Sequence, residues 1–103
     1  MIAMTPKMRA IVEEEIELAD CARIDEGDCK GRLTVQHAYG RTIQERWMFI
    51  YICHEHHQGK RQNKRRDKYL CLMQATEKDF NKYPKHAPQW RQDKKYLITL
   101  YTI

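Results

Sequence analysis

Trp47-Met48-Phe49-Ile50-Tyr51-Ile52 runs without a break into Cys53-His54-Glu55-His56-His57, and the fold turns on that junction. The first six residues are rich in aromatic and branched side chains, which suits a buried strand. The polar residues that follow predict a helix starting at once. Upstream, Leu33-Thr34-Val35 predicts a short strand ending at His37, and Gly40-Arg41 opens the loop that joins the two strands. Strand, loop, strand and helix in that order describe an α+β finger.

Three of the four cysteines and four of the five histidines fall between residues 21 and 57. Cys21, Cys29, Cys53 and His56 supply three thiolates and an imidazole, a donor set that suits tetrahedral zinc. Cys53-x-x-His56 has ordinary zinc spacing, whereas Cys21 and Cys29 are separated by seven residues, wider than usual. Buried free thiols are the alternative for this set. His37 and His57 remain, one ending the first strand and one just inside the helix. A strand-loop-strand-helix finger is expected to bring them face to face across a small cleft.

Outward from this core, residues 5–19 predict a helix. Thr5 can cap it, Pro6 suits its first turn, and Met8, Ile11, Val12, Ile16 and Ala19 form its apolar face. Residues 59–68 read as a basic, turn-prone stretch. A second helix is expected from Tyr69 through Leu72, Met73, Thr76 and Phe80 to Tyr83, ended by Pro84. Tyr96 to Ile103 reads equally as a strand or as the end of a helix. Cys71 falls outside the zinc set and reads as a free thiol. His54 is expected to be exposed, and His86 to have no ligand role.

The 103 residues have room for one domain with a modest core, which a metal staple would help. Hydrophobic residues at 42% and charged residues at 32% exclude a disordered or collagen-like chain. No apolar run approaches a membrane span, and Met1-Ile2-Ala3-Met4 lacks the apolar stretch of a signal peptide. The expected location is therefore intracellular and cytoplasmic, where cysteines more often bind metal than form disulfides. No glycine-rich phosphate loop is present, which argues against an ATP-driven enzyme.

The formal charge of +5 is divided unequally. Residues 1–57 hold 7 Lys/Arg against 10 Asp/Glu, and residues 58–103 hold 12 against 4. A polyanion suits the basic part, because Lys and Arg displace counterions condensed on phosphates. A merely solvated surface explains the charge equally well.

Leu33-Thr34-Val35-Gln36-His37-Ala38-Tyr39-Gly40-Arg41-Thr42, followed by Ile50-Tyr51-Ile52-Cys53-His54-Glu55-His56-His57, resembles the core of HNH (His-Me finger) nucleases. It is similar in particular to phage and prophage members, the recombination-enhancing nucleases of temperate phages among them. The resemblance covers about residues 21–70. It implies a zinc-stapled ββα-metal finger flanked by N-terminal and C-terminal helices, of phage origin and working in a bacterial host.

The implied activity is metal-dependent cleavage of phosphodiester bonds, in DNA before other nucleic acids. The resemblance makes His37 the general base and His57 a ligand of one divalent cation, Mg²⁺, Mn²⁺, Ni²⁺ or Zn²⁺. Arg41 would hold a phosphate oxygen. Lys60, Arg61, Lys64, Arg65 and Arg66 would contact the nucleic-acid backbone. A homodimer that cuts both strands fits the same reading.

Departures from the family pattern bear on activity. Gln36 stands where His or Asp commonly binds the metal, and its neutral carbonyl oxygen is a weaker ligand. No Asn lies near Trp47, and Arg61 occupies a place where a further His is frequent. The rival reading is a non-catalytic zinc module that binds nucleic acid or a protein, such as a host-defence or recombination enzyme.

Overall fold

The structure, a computed structural model, describes residues 4–40 and 43–102. Helix α1 spans Pro6–Ile16, and the Thr5 hydroxyl caps it by accepting from the Met8 amide. It stops short of the expected Ala19, and Leu18 beyond it is exposed. Strands β1 (Leu33–His37) and β2 (Phe49–Cys53) pair antiparallel, with Leu33 opposite Cys53 and His37 opposite Phe49. Trp47 and Met48, expected in the second strand, instead form a 3-10 turn with Arg46 just before it. That turn drops the Trp47 indole out of the ribbon and into the helical core.

Helix α2 (His54–Gln58) starts directly after β2, as expected, but lasts only five residues. Helix α3 (Lys64–Leu72) begins inside the stretch expected to be a turn, capped by Asn63, whose side chain accepts from the Arg66 amide. The single helix expected from Tyr69 to Tyr83 is two. Thr76, read as part of an apolar stripe, is the N-cap of α4 (Glu77–Asn81), in a reciprocal capping box with Asp79. Tyr96 to Tyr101 belong to α5 (Ala87–Tyr101), which settles the strand-or-helix alternative for that segment.

The ribbon is covered on both faces. Strand alternation turns Leu33 and Val35 toward α1, where they join Phe49, Tyr51, Met8, Ile11 and Val12. Ile50 and Ile52 face the other way, with Cys71 and Leu70 of α3. A third cluster gathers Trp47, Leu72, Phe80 and Trp90, with the Trp47 ring edge-on to Phe80 and Trp90 at 5.6 and 5.0 Å. The result is a small compact α+β unit with a Cα radius of gyration of 13.8 Å, as expected for one unit of about 100 residues. Among the described residues, no helix is long and apolar enough to cross a membrane.

Candidate functional site

Cys21, Cys29, Cys53 and His56 come together at the end of the ribbon, all four donor atoms within 4.8 Å of one another. Each arrives on a different element: Cys21 after α1, Cys29 in the following turn, Cys53 at the end of β2 and His56 on α2. Backbone bonds strap the 21–32 segment to the ribbon and α2, from Ala22 N–H to Tyr51 O, His54 N–H to Arg32 O and Glu55 N–H to Lys30 O. Gly31 permits this closeness. Its φ of +83° is left-handed, and a side-chain carbon there would lie 2.8 Å from His54 Cβ.

The His56 Nδ1 atom lies 3.4 Å from Cys21 Sγ, 3.7 Å from Cys29 Sγ and 3.1 Å from Cys53 Sγ. Tetrahedral zinc with ordinary bond lengths places sulfur and nitrogen about 3.6 Å apart, so the set fits that ion. Cys21, Cys53 and His56 are buried and Cys29 sits on the solvent side. No disulfide joins the four cysteines.

Three sulfurs this close cannot all carry charge without a cation. Loss of water around its sulfur, then the neighbouring Cys53 and Cys21, push Cys29 up to about 12. Burial works against the Cys53 thiolate too, but the backbone N–H groups of His56 and Lys30, with hydrogen bonds from the Cys29 and Cys21 thiols, outweigh it and lower its pKa.

Arg23 and Asp67, which the sequence reading did not single out, brace this centre from behind. The Arg23 guanidinium is buried and forks onto Glu26 at 2.9 and 2.8 Å. Its third nitrogen donates to the His56 carbonyl at 3.3 Å and reaches Asp67 Oδ1 at 3.5 Å. Burial raises Asp67 to about 6, with Arg23 opposing the shift. The signal available in the sequence was Asp67 itself, the lone acid in the basic run, placed in the first turn of α3 where an acid suits the helix dipole.

His57 stands on the α3 side of the ribbon with Nδ1 2.7 Å from Thr34 Oγ1. With the Thr34 hydroxyl hydrogen directed to the Ile52 carbonyl at 2.9 Å, the Thr34 oxygen is placed to accept from His57 Nδ1–H. That bond leaves Nε2 as the free lone pair. Burial, then His54 and Lys64, lower the His57 pKa and hold the ring neutral. Gln36 lies on the same face and donates its amide to Asp67 Oδ2 at 3.5 Å, which leaves its carbonyl oxygen as the remaining side-chain acceptor.

His37 does not meet His57 across a cleft. Strand alternation turns it to the α1 side, where its ring packs 5.7 Å from that of Phe49 beside Met4 and Met8. It lies three residue steps along β1 from Thr34, about 10 Å along the ribbon. Arg41, the expected phosphate contact, lies outside the described residues. Among the described residues, no second group of three or more His, Cys, Asp or Glu is placed to share a metal.

His54 is exposed, and His86 stacks on Trp90 at 5.2 Å. Cys71 is a free thiol, as expected, but fully buried against the ribbon, and burial, then Asp67, push it up to about 12.

The basic residues divide into two kinds. Arg61 pairs with Asp28 at 3.3 Å, and Arg66 reaches Glu26 at 3.7 Å while its guanidinium covers Tyr69 and Tyr101, each at 5.0 Å. Lys60, Lys64 and Arg65 are exposed, and Lys68 sits 4.8 Å over the Tyr39 ring. No protein-family model, no characterised protein and no solved structure matches this chain.

Proposed function

We propose that this chain is a metal-dependent nuclease of the HNH kind, hydrolysing phosphodiester bonds in nucleic acid, DNA first among them. One observation carries the reading: Thr34 is placed to hold His57 as the Nδ1–H tautomer, which presents Nε2 as a neutral lone pair. A ring held through one nitrogen with the other free is how proteins orient a metal-ligating histidine. His57 Nε2 and the Gln36 carbonyl oxygen would hold a divalent cation. When bound, such a cation neutralises the scissile phosphate and favours departure of the 3′ oxygen.

The Cys21, Cys29, Cys53 and His56 centre would hold zinc and keep α2 at its angle to the ribbon. His37 is the candidate base. Its place on the opposite face of the ribbon, about 10 Å along it from Thr34, is out of reach of a water attacking a phosphate held at His57, and this counts against that role. Lys64 and Arg65 would hold the nucleic-acid backbone. Phage origin and a bacterial cytoplasm belong to this same reading.

A second reading is favoured by the separation of His37 from His57. With the two on opposite faces of the ribbon, the domain would be a zinc-stapled module that binds nucleic acid or a protein without cutting. Cleavage of plasmid and single-stranded DNA by zinc-loaded protein separates the two, with Mg²⁺, Mn²⁺ or Ni²⁺ added. The nuclease reading expects metal-dependent cutting, lowered at least 100-fold in His57→Ala and in His37→Ala. Cutting that survives only in His37→Ala would keep the enzyme and discard that base. A folded, zinc-loaded protein that cuts under none of these metals leaves the binding module.

A further inference from the structure

A cleft of about 350 Å³ opens between α3 and α5, lined by Lys64, Arg65, Lys68, Asp93, Tyr96 and Leu97. Its two walls differ in chemistry. The α3 wall is cationic, with Lys64 and Lys68 one helical turn apart on the same side. Among the described residues, no carboxylate lies within ion-pair distance of Lys64, Arg65 or Lys68. The other arginines of this region are already engaged, Arg61 by Asp28 and Arg66 by Glu26.

The α5 wall is aromatic and apolar. Tyr96 is 57% exposed, and Leu100, one turn further on, is 40% exposed. Asp93 sits on this wall and accepts from the Tyr39 hydroxyl and the Gln89 amide, one negative charge against the three positive ones of Lys64, Arg65 and Lys68.

We propose that this cleft is a track for single-stranded nucleic acid, with phosphates on the Lys64, Arg65 and Lys68 wall and a base stacked on Tyr96. The inference rests on the nucleic-acid part of the function proposed above and not on its catalytic part. Cations on one wall suit any phosphate backbone, but an exposed ring opposite them selects between strand forms. A duplex keeps its bases stacked inside and meets Tyr96 only with sugar and phosphate. A single strand offers the bare face of a base.

The test is fluorescence anisotropy with a labelled 12-nucleotide oligothymidylate and a duplex of the same length. The full zinc-loaded chain is used without added divalent cation. Tyr96→Ala is expected to weaken single-strand binding about tenfold and leave duplex binding unchanged, with Tyr96→Phe restoring the native value. Lys64→Ala with Lys68→Ala should weaken both, and lower the slope of log affinity against log salt for the single strand by about 1.4.

Unchanged single-strand affinity in Tyr96→Ala overturns the proposal. So does an equal loss in Lys7→Ala, on the distant α1. None of these readings needs cleavage, so a protein that binds in this way but never cuts loses only its catalytic assignment. A protein that cuts but ignores Tyr96 loses only the track.

Discussion

Thr34 has one hydroxyl hydrogen, and its use decides the chemistry of a second side chain. Spent on the Ile52 carbonyl, it leaves the Thr34 oxygen placed to accept from His57 Nδ1–H, with Nε2 free. Thr34→Val removes that acceptor without changing side-chain shape. Manganese titration of the zinc-loaded protein is expected to show cation binding 10- to 100-fold weaker in Thr34→Val, with zinc content and circular dichroism unchanged and Thr34→Ser close to native. Equal manganese affinity in the valine variant would remove Thr34 from the site. At this scale the donor types were legible in the sequence, since Cys, His and Gln carry their chemistry wherever they sit. The tautomer was not, because it depends on a hydrogen bond between residues 23 apart.

Among the elements, α2 is the one that cannot stand alone. Five residues are far fewer than an isolated helix needs, and no side chain caps its N-terminus. The Cys and His centre and the Arg23 bond to the His56 carbonyl hold it in place. Removing zinc with a chelator is expected to strip amide protection first from residues 21–32 and α2, read by hydrogen exchange. The helices around Trp90 should keep their protection longer, and Cys53→Ser should reproduce the pattern in metal-replete buffer. Uniform loss of protection would mean that the centre supports the whole fold rather than one corner. The α2 start was legible from the abrupt change in polarity after Ile52. The break between α3 and α4 was not, because Thr76 sits at helical spacing from Leu72 and also makes a good cap. Packing of Phe80 against Trp47 and Trp90 favours the cap.

At the scale of the molecule, Trp47 joins the finger to the C-terminal helices. It leaves the strand register, meets Phe80 and Trp90 edge-on, and buries an indole N–H that has no acceptor among the described residues. Trp47→Ala is expected to cost about 3–5 kcal/mol by urea denaturation. Trp47→Phe should cost clearly less, since it keeps an aromatic ring and removes an unpaired donor worth about 1–3 kcal/mol. A phenylalanine variant as unstable as the alanine one would point to an interaction of the indole nitrogen instead. The basic second half of the chain is spread by folding over α3, α4 and α5, so charge along the sequence indicated a polyanion but not where one would lie.

Local pattern and residue chemistry determined the order of strand, strand and helix, the capped N-terminal helix and the four donors that fit a metal. Each of these is written in neighbouring residues, where hydrophobic period and ligand type act directly. Tertiary structure alone decided which side chains meet. Strand register sends His37 and His57 to opposite faces, although their order along the chain suggested a shared cleft. It buries Arg23 and Asp67 together from positions 44 apart. It also sets Tyr96 across from Lys64 and Lys68. The physical reason is the two-residue period of a strand and the free choice of packing between helices: contacts between distant residues follow from those, and no local pattern encodes them.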